Sequence, residues 1–307
     1  MKPSSSPLRF SPSTETVIAA GIFWSLLTLY CAVAFGMPLP GQEVPRWYAL
    51  LGYIFDGVAY LGAALLCLRN WLCPRLLSDR RIWLYFSLRS WLYLLANFFF
   101  GYWELGLERF PDVSVADPFY ILSYIALLWG MVLAVRSKQV SLKPWQYAAI
   151  AGLVALGIWL GWLSSFPPQE SQTTLASSVP ILEPAIVAQS AAEKEAPKWV
   201  LAVEKLLAPL AGVLSLLYVV SDVFLLVLAG TLVLTFWGGR FSRTWAVIAT
   251  SALLLYAADI RYAYVISRGN FETGGLLDTL WVFSGILLGI GAALEYDIST
   301  RPRQRRR

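Results

Sequence analysis

Six polar side chains interrupt the apolar segments of this chain: Asp56, Asn97, Asp117, Asp222, Asp259 and Asp278. A carboxylate in hydrocarbon is costly, so such a group pairs, takes up a proton or faces a wet cavity, and it usually serves a function. Carboxylates gathered in a bilayer can hold a proton, a metal ion or an organic cation. Aromatic residues follow two of the acids at helical spacing: Tyr120 and Tyr124 after Asp117, and Trp281 after Asp278. Acids beside aromatic faces suit an organic cation. Arg261, two residues after Asp259, neutralises one acid and leaves the set strongly negative. The candidate ligand-binding set is therefore Asp56, Asn97, Asp117, Tyr120, Asp222, Asp259, Arg261, Asp278 and Trp281.

The same residue types argue against catalysis. The chain has no histidine, which removes imidazole bases, histidine-ligated haem and histidine-containing zinc sites. Cys31, Cys67 and Cys73 fit no metal-ligand spacing, and a metal's identity stays open. The Asp pairs lack the glycine-flanked setting of membrane aspartyl proteases. No cofactor motif is present, so the expectation is a non-enzymatic protein without a cofactor.

The polar groups follow a repeat. Arg81, Trp83, Asn97, Tyr102, Asp117, Tyr120, Ser123 and Gly130 recur as Arg243, Trp245, Asp259, Tyr264, Asp278, Trp281, Ser284 and Gly291, with one single-residue gap. Asp56 and Asp222, each shortly after a tyrosine (Tyr53, Tyr218), extend the match.

Elements of membrane length must position these groups. The 307 residues are 58% apolar and 14% charged, where a soluble chain carries about a quarter charged. Eight stretches are long enough to cross about 30 Å of hydrocarbon: 16–36, 48–68, 82–105, 117–136, 145–165, 217–238, 244–266 and 275–296. The fold class expected is all-α, a polytopic bundle of eight transmembrane helices with two parallel repeats of three to four helices. Parallel copies imply a pseudo-two-fold axis along the membrane normal.

Charge orients the bundle. Basic residues collect at the N-terminus (Lys2, Arg9), in alternate connections (Arg69, Arg75, Arg80, Arg81; Arg136, Lys138, Lys143; Arg240, Arg243) and in a tail of five arginines from Arg301 to Arg307. The other connections are neutral or acidic. The positive-inside rule then puts both termini in the cytoplasm and all six polar groups in the outer half. Asp56 is the deepest of those on inward-running helices, roughly 12 Å along its helix at 1.5 Å per residue. Six groups from six helices predict one outward-open polar pocket. The net charge of +5 is a basic cytoplasmic face and implies no nucleic-acid partner.

The chain divides into a disordered cytoplasmic arm (1–15), membrane repeat one (16–165, its fifth helix leading into repeat two), an outer loop with an interfacial amphipathic helix (166–216), membrane repeat two (217–297) and a basic cytoplasmic tail (298–307). In the amphipathic segment Trp199, Val203, Leu206, Leu207 and Leu210 oppose Lys198, Glu204 and Lys205. The alternative there is an extension of the sixth helix, kinked at Pro209.

Structural readings stand beside the functional ones. Asp117 and Asp278 open their helices, where an acid also caps free amides; Asp56 and Asp259 lie too deep for that. The Ser123–Gly130 and Ser284–Gly291 stripes suit close helix packing. Arg81 and Arg243, with Trp83 and Trp245, suit lipid headgroups, and Arg89 either snorkels or pairs internally.

The stretch Ala116-Asp117-Pro118-Phe119-Tyr120-Ile121-Leu122-Ser123-Tyr124, continuing to Gly130, resembles the multi-helix membrane sensor regions that precede bacterial diguanylate cyclases and sensor kinases. Tyr218 to Asp222, Gly239-Arg240, Trp245, Ala258-Asp259 to Tyr264, and Asp278 to Trp281 are similar to their second half. The resemblance covers most of 48–297; Ile125 and Val219 stand where that pattern has proline. It implies a sensor module in a bacterial inner membrane, or a thylakoid in a cyanobacterium. The chain ends eleven residues after Tyr296 without an output domain, so a sensor would act through a cytoplasmic or membrane protein partner, with lipid around it. An ion-coupled carrier and an assembly or scaffold factor of a membrane complex are the alternatives.

Overall fold

The computed structural model describes residues 12–37, 44–109, 113–137, 143–165, 197–236, 242–266 and 273–301. The ends of the arm and the tail, most of the 166–216 loop, and Glu43, Asp112, Lys138, Arg240, Arg268 and Glu272 lie outside them.

Among the described residues every regular element is helical. The helices are α1 (Thr14–Phe35), α2 (Arg46–Leu72), α3 (Arg80–Gly101), α4 (Ala116–Arg136), α5 (Pro144–Ser165), α6 (Lys198–Leu207), α7 (Ala211–Thr235), α8 (Ser242–Ile266) and α9 (Thr279–Thr300). A π-helical turn, Tyr102–Gly106, continues α3. Short 3-10 turns at Ala208–Leu210 and Leu276–Asp278 lead into α7 and α9.

Several bounds differ from the hydropathy reading. Ser13 accepts from the Thr16 amide and starts α1 at Thr14, inside the expected arm. The sixth apolar stretch is helical from Ala211. The last helix runs to Thr300, past the expected edge of the tail. α1 outruns its apolar run because Ser13 caps it, and α9 because its last turn closes with the Arg301 amide on Asp297 O; α7 simply starts earlier along an apolar stretch.

Seven helical runs are long and apolar enough to cross a membrane, and the chain is a multi-pass integral membrane protein. Its outer helices carry the apolar exterior that lipid requires: Ile22, Phe23, Leu26 and Tyr30 of α1, and Trp159 and Trp162 of α5, are exposed. The helix α3 is long enough but is not among the seven. It carries Ser87, Arg89, Ser90 and Asn97, and all four are buried. These polar residues lower its hydropathy while facing protein, not lipid.

The helices form a closed ring. α2 packs on α3, α3 on α4, α4 on α7, α7 on α8, α8 on α9, and α9 back on α2. Each repeat thus supplies three successive helices, and the third of each meets the first of the other. α1 lies against α9 and touches α2, whereas α5 lies against α7 and α8. The two flanking helices are therefore placed differently around the ring.

Small residues let the helices approach. A Cβ on Gly130 would stand 2.7 Å from Phe86, and one on Gly291 would stand 2.6 Å from Ile248. Phe86 and Ile248 each lie eleven residues before the Asn97/Asp259 pair, so the two copies make the same contact. Trp83 and Trp245 correct their expected role. They are 0% and 1% exposed, with ring centroids 6.2 Å apart, and Phe236 stacks on Trp245 at 4.8 Å. Corresponding residues of the two copies meet here inside the bundle, away from lipid headgroups.

Candidate functional site

The polar groups lie toward one end of the bundle. Their positions follow from helix entry points: α4 and α9 start there with their acids, and α3 and α8 finish there.

Asp117 and Asp278 hold the two helix starts. Asp117 Oδ2 accepts from the Ser114 backbone N–H at 2.7 Å and from Ser114 Oγ at 3.2 Å. Asp278 Oδ2 accepts from the Gly274 and Gly275 amides at 2.8 and 3.0 Å. Gly274 has φ +105°, a left-handed conformation that glycine takes without strain. Asp278 completes a capping box on the 3-10 turn that leads into α9, whereas Asp117 caps no amide of α4 and instead holds Ser114 before it. Each also binds a neighbouring helix: Tyr218 Oη of α7 donates to Asp117 Oδ1 at 2.9 Å, and Arg261 pairs with Asp278 Oδ1.

One turn deeper, the repeats build matching pairs. Tyr120 Oη donates to Asn97 Oδ1 at 2.7 Å. At the corresponding place in the second copy, Trp281 Nε1 donates to Asp259 Oδ1 at 2.8 Å. The Asn97 amide donates to Asp56 Oδ2. Tyr124 then crosses between the copies, its Oη standing 2.9 Å from Asp222 Oδ1 and also bonding Asp259 Oδ2.

Beneath these lies Arg89. It is 2% exposed, and its guanidinium is over the rings of Tyr60 and Tyr93, 4.5 and 4.6 Å from their centroids. Its Nη2 donates to Tyr60 Oη at 3.2 Å. Asp56 and Asp259 both feel its charge. Of the two expectations for Arg89, internal pairing is the one observed. Nη1 of Arg89 and Oδ1 of Asp56 are buried and have no hydrogen-bond partner among the described residues.

The expected set is therefore gathered, but as four groups: Asp56–Asn97–Tyr120, Asp222–Asp259–Trp281 joined by Tyr124, Arg261–Asp278, and Asp117 with Tyr218. Asp56, Asn97 and Asp222 are at most 9% exposed. The outward-open pocket read from depth is here a closed network, because the acids turn to one another and to tyrosines. The candidate set lacks Arg89, Tyr60, Tyr93 and Tyr218. The helical spacing of Arg89, Tyr93 and Asn97 at intervals of four residues carried the signal for one polar stripe on α3.

No protein-family model, no curated protein and no solved structure matches the chain.

The outer connections add a further contact. Trp103 Nε1 and Arg109 Nε donate to Glu204 Oε1 at 3.2 and 3.0 Å, and Arg109 Nη2 donates to Glu204 Oε2 at 2.9 Å. The rings of Trp103 and Trp199 meet edge to face at 5.7 Å. The amphipathic α6 is thereby tied to the turn after α3. Its charged face holds protein and leaves Leu201 and Leu206 exposed.

Proposed function

We propose that the chain is a non-enzymatic, eight-crossing membrane protein of sensor type. Its polar network binds a ligand or cation, the binding shifts one three-helix unit against the other, and a partner protein reads the shift. Both termini face the cytoplasm of a bacterial inner membrane, or the corresponding side of a thylakoid. α3 supplies the eighth crossing, its Arg89 shielded by Tyr60 and Tyr93. The two-fold relation of the repeats is supported by the paired contacts Gly130–Phe86 and Gly291–Ile248 and by Asn97–Tyr120 and Asp259–Trp281.

One observation carries the sensing reading: Tyr124 of the first unit bonds Asp222 and Asp259 of the second. Ionisable groups at the seam make its packing depend on what those groups bind. The test uses Cys-free protein in lipid nanodiscs, spin-labelled at Phe98→Cys and Ile266→Cys, on exposed faces of α3 and α8. The inter-label distance is expected to change with pH, sodium or choline. A distance that ignores all three removes the sensing reading and favours a scaffold. A carrier is the second reading, supported by parallel repeats with buried acids. Sodium or choline flux into proteoliposomes that stops in Asp222→Asn would establish it instead.

A further inference from the structure

Tyr124 Oη bonds two carboxylates, Asp222 Oδ1 at 2.9 Å and Asp259 Oδ2. A phenol carries one hydrogen, and an ionised carboxylate can only accept. Two full hydrogen bonds need two hydrogens, so the second must reside on a carboxyl group. Two carboxylates confined at one site share a proton for the same reason of like-charge repulsion.

The surroundings do not supply the missing charge by other means. On Asp259, Oδ1 is engaged by Trp281 Nε1 of α9. Tyr93 of α3, Tyr120 of α4 and Tyr262 of α8 itself face Asp259, and Tyr256 of α8 faces Asp222. α5 meets α7 beside this point through Gly157 and Gly161, which carry no charge. The cation that faces Asp259 is Arg89, but its hydrogen bond goes to Tyr60. Arg261 is bound to Asp278.

The repeat shows what the proton replaces. In the first copy Asn97 donates an amide hydrogen to Asp56, and Arg89 sits eight residues before it. In the second copy those two positions are Asp259 and Ser251. A donor has become an acceptor and a cation has become a hydroxyl. Ser251 uses that hydroxyl on Ser284 O at 2.7 Å.

We propose that Asp222, Tyr124 and Asp259 form a proton-binding site holding one shared proton across the seam between the two units, and that the proton is the ligand of the network. This rests on the reading of the network as a ligand site.

The test is infrared difference spectroscopy on the full chain in lipid nanodiscs at neutral pH. The wild type should show the carbonyl stretch of a protonated carboxylic acid, moving down in D2O. Asp222→Asn and Asp259→Asn should each lose the intensity of one acid. Tyr124→Phe should keep the intensity but move the band, since the acid loses its partner; it covers the case where an Asn variant does not fold. Variants with wild-type intensity, or a Tyr124→Phe band that does not move, overturn the proposal. The spin-label distance is read on the same samples. A shared-proton band with a distance indifferent to pH, sodium and choline keeps the proton site and removes sensing. A distance that follows pH, with no band change in any variant, keeps sensing and removes the proton site.

Discussion

Asp259 shows how one position can carry both structure and response. Its oxygens are claimed by Trp281 from α9 and Tyr124 from α4, so it ties three helices together. Asp259→Leu strands the Trp281 indole N–H, at about 1–3 kcal/mol for the unsatisfied group, and leaves Tyr124 with Asp222 alone. Asp259→Asn keeps an acceptor for Trp281 and imitates Asn97 of the first copy. In thermal unfolding of the nanodisc protein the Leu variant should melt clearly lower, and the Asn variant near wild type but with a blunted pH response of the seam. Equal melting of Leu and wild type would show that the constellation contributes nothing to packing. Interhelical hydrogen bonds in membrane proteins average about 0.6 kcal/mol. Tyr124→Phe should therefore cost only about 1 kcal/mol, while removing the bridge between the copies. These acids were legible in the sequence because an aspartate amid apolar residues is conspicuous. Their partners were not. Tyr60 and Tyr93 look like ordinary membrane aromatics until the ring of helices aims them, and Tyr124 and Tyr218, conspicuous by their spacing, show their acid partners only there. Arg89 was visible, but a long side chain can snorkel or turn inward, and only its packing between Tyr60 and Tyr93 decides.

At the scale of elements, periodicity located the helices well and their neighbours poorly. Apolar length located all eight long helices, α3 among them as 82–105, although α3 is the least hydropathic and is not among the seven runs apolar enough to be spans on hydropathy alone, since its Arg89 and Asn97 face protein. Trp83 and Trp245 misled for a related reason: their place near helix ends fits headgroup anchoring, yet the helices converge there and bury them. The small-residue stripes read correctly, and they offer a test of the repeat. Gly130→Val would drive its side chain into Phe86 and Gly291→Val into Ile248. Overpacking of this kind costs about 1–3 kcal/mol, and the two variants should lower the melting temperature alike. A loss in one and none in the other would break the equivalence of the two seams. α6 is held differently, by Glu204 on Arg109 and Trp103, with 18% and 15% side-chain exposure for the ion pair. Glu204→Ala leaves Arg109 and the Trp103 N–H without this acceptor. Limited proteolysis should then cut within 198–207 faster than in wild type, while melting of the bundle stays within error. Unchanged cleavage would mean that α6 is held by its apolar face and that the ion pair is incidental.

For the whole molecule, architecture and charge lead to one arrangement. The ring closes because the third helix of each unit meets the first helix of the other, α4 on α7 and α9 on α2. Such closure is what the proposed rotation of two like units about an axis through the ring would produce. The Trp83–Trp245 contact is where a residue and its counterpart would meet on that axis. The flanking helices depart from it: α1 follows the α9 side of the ring, whereas α5 sits over α7 and α8, where Gly157, Gly161 and Gly230 admit Val219, Val223, Leu226 and Leu153. α5 thereby meets α7 on either side of Asp222, at Val219, Val223 and Leu226, whereas α1 meets α2 beside Asp56, where Trp24 Nε1 donates to Phe55 O at 3.0 Å. On the proposed eight crossings, α6 belongs on the side of Asp117 and Asp278, and Arg75, Arg80 and Arg81 belong on the other. Single cysteines in an otherwise Cys-free chain test this in intact cells with a membrane-impermeant thiol reagent. A cysteine within 167–197 should label, and ones beside Arg75 and Arg303 should label only after the membrane is opened. Labelling beside Arg303 but not beside Arg75 in intact cells would make the number of crossings odd. Because α3 is the helix that hydropathy omits, that result would place α3 within the bundle without spanning it, and Arg89 would then be reached from water at an end of the bundle.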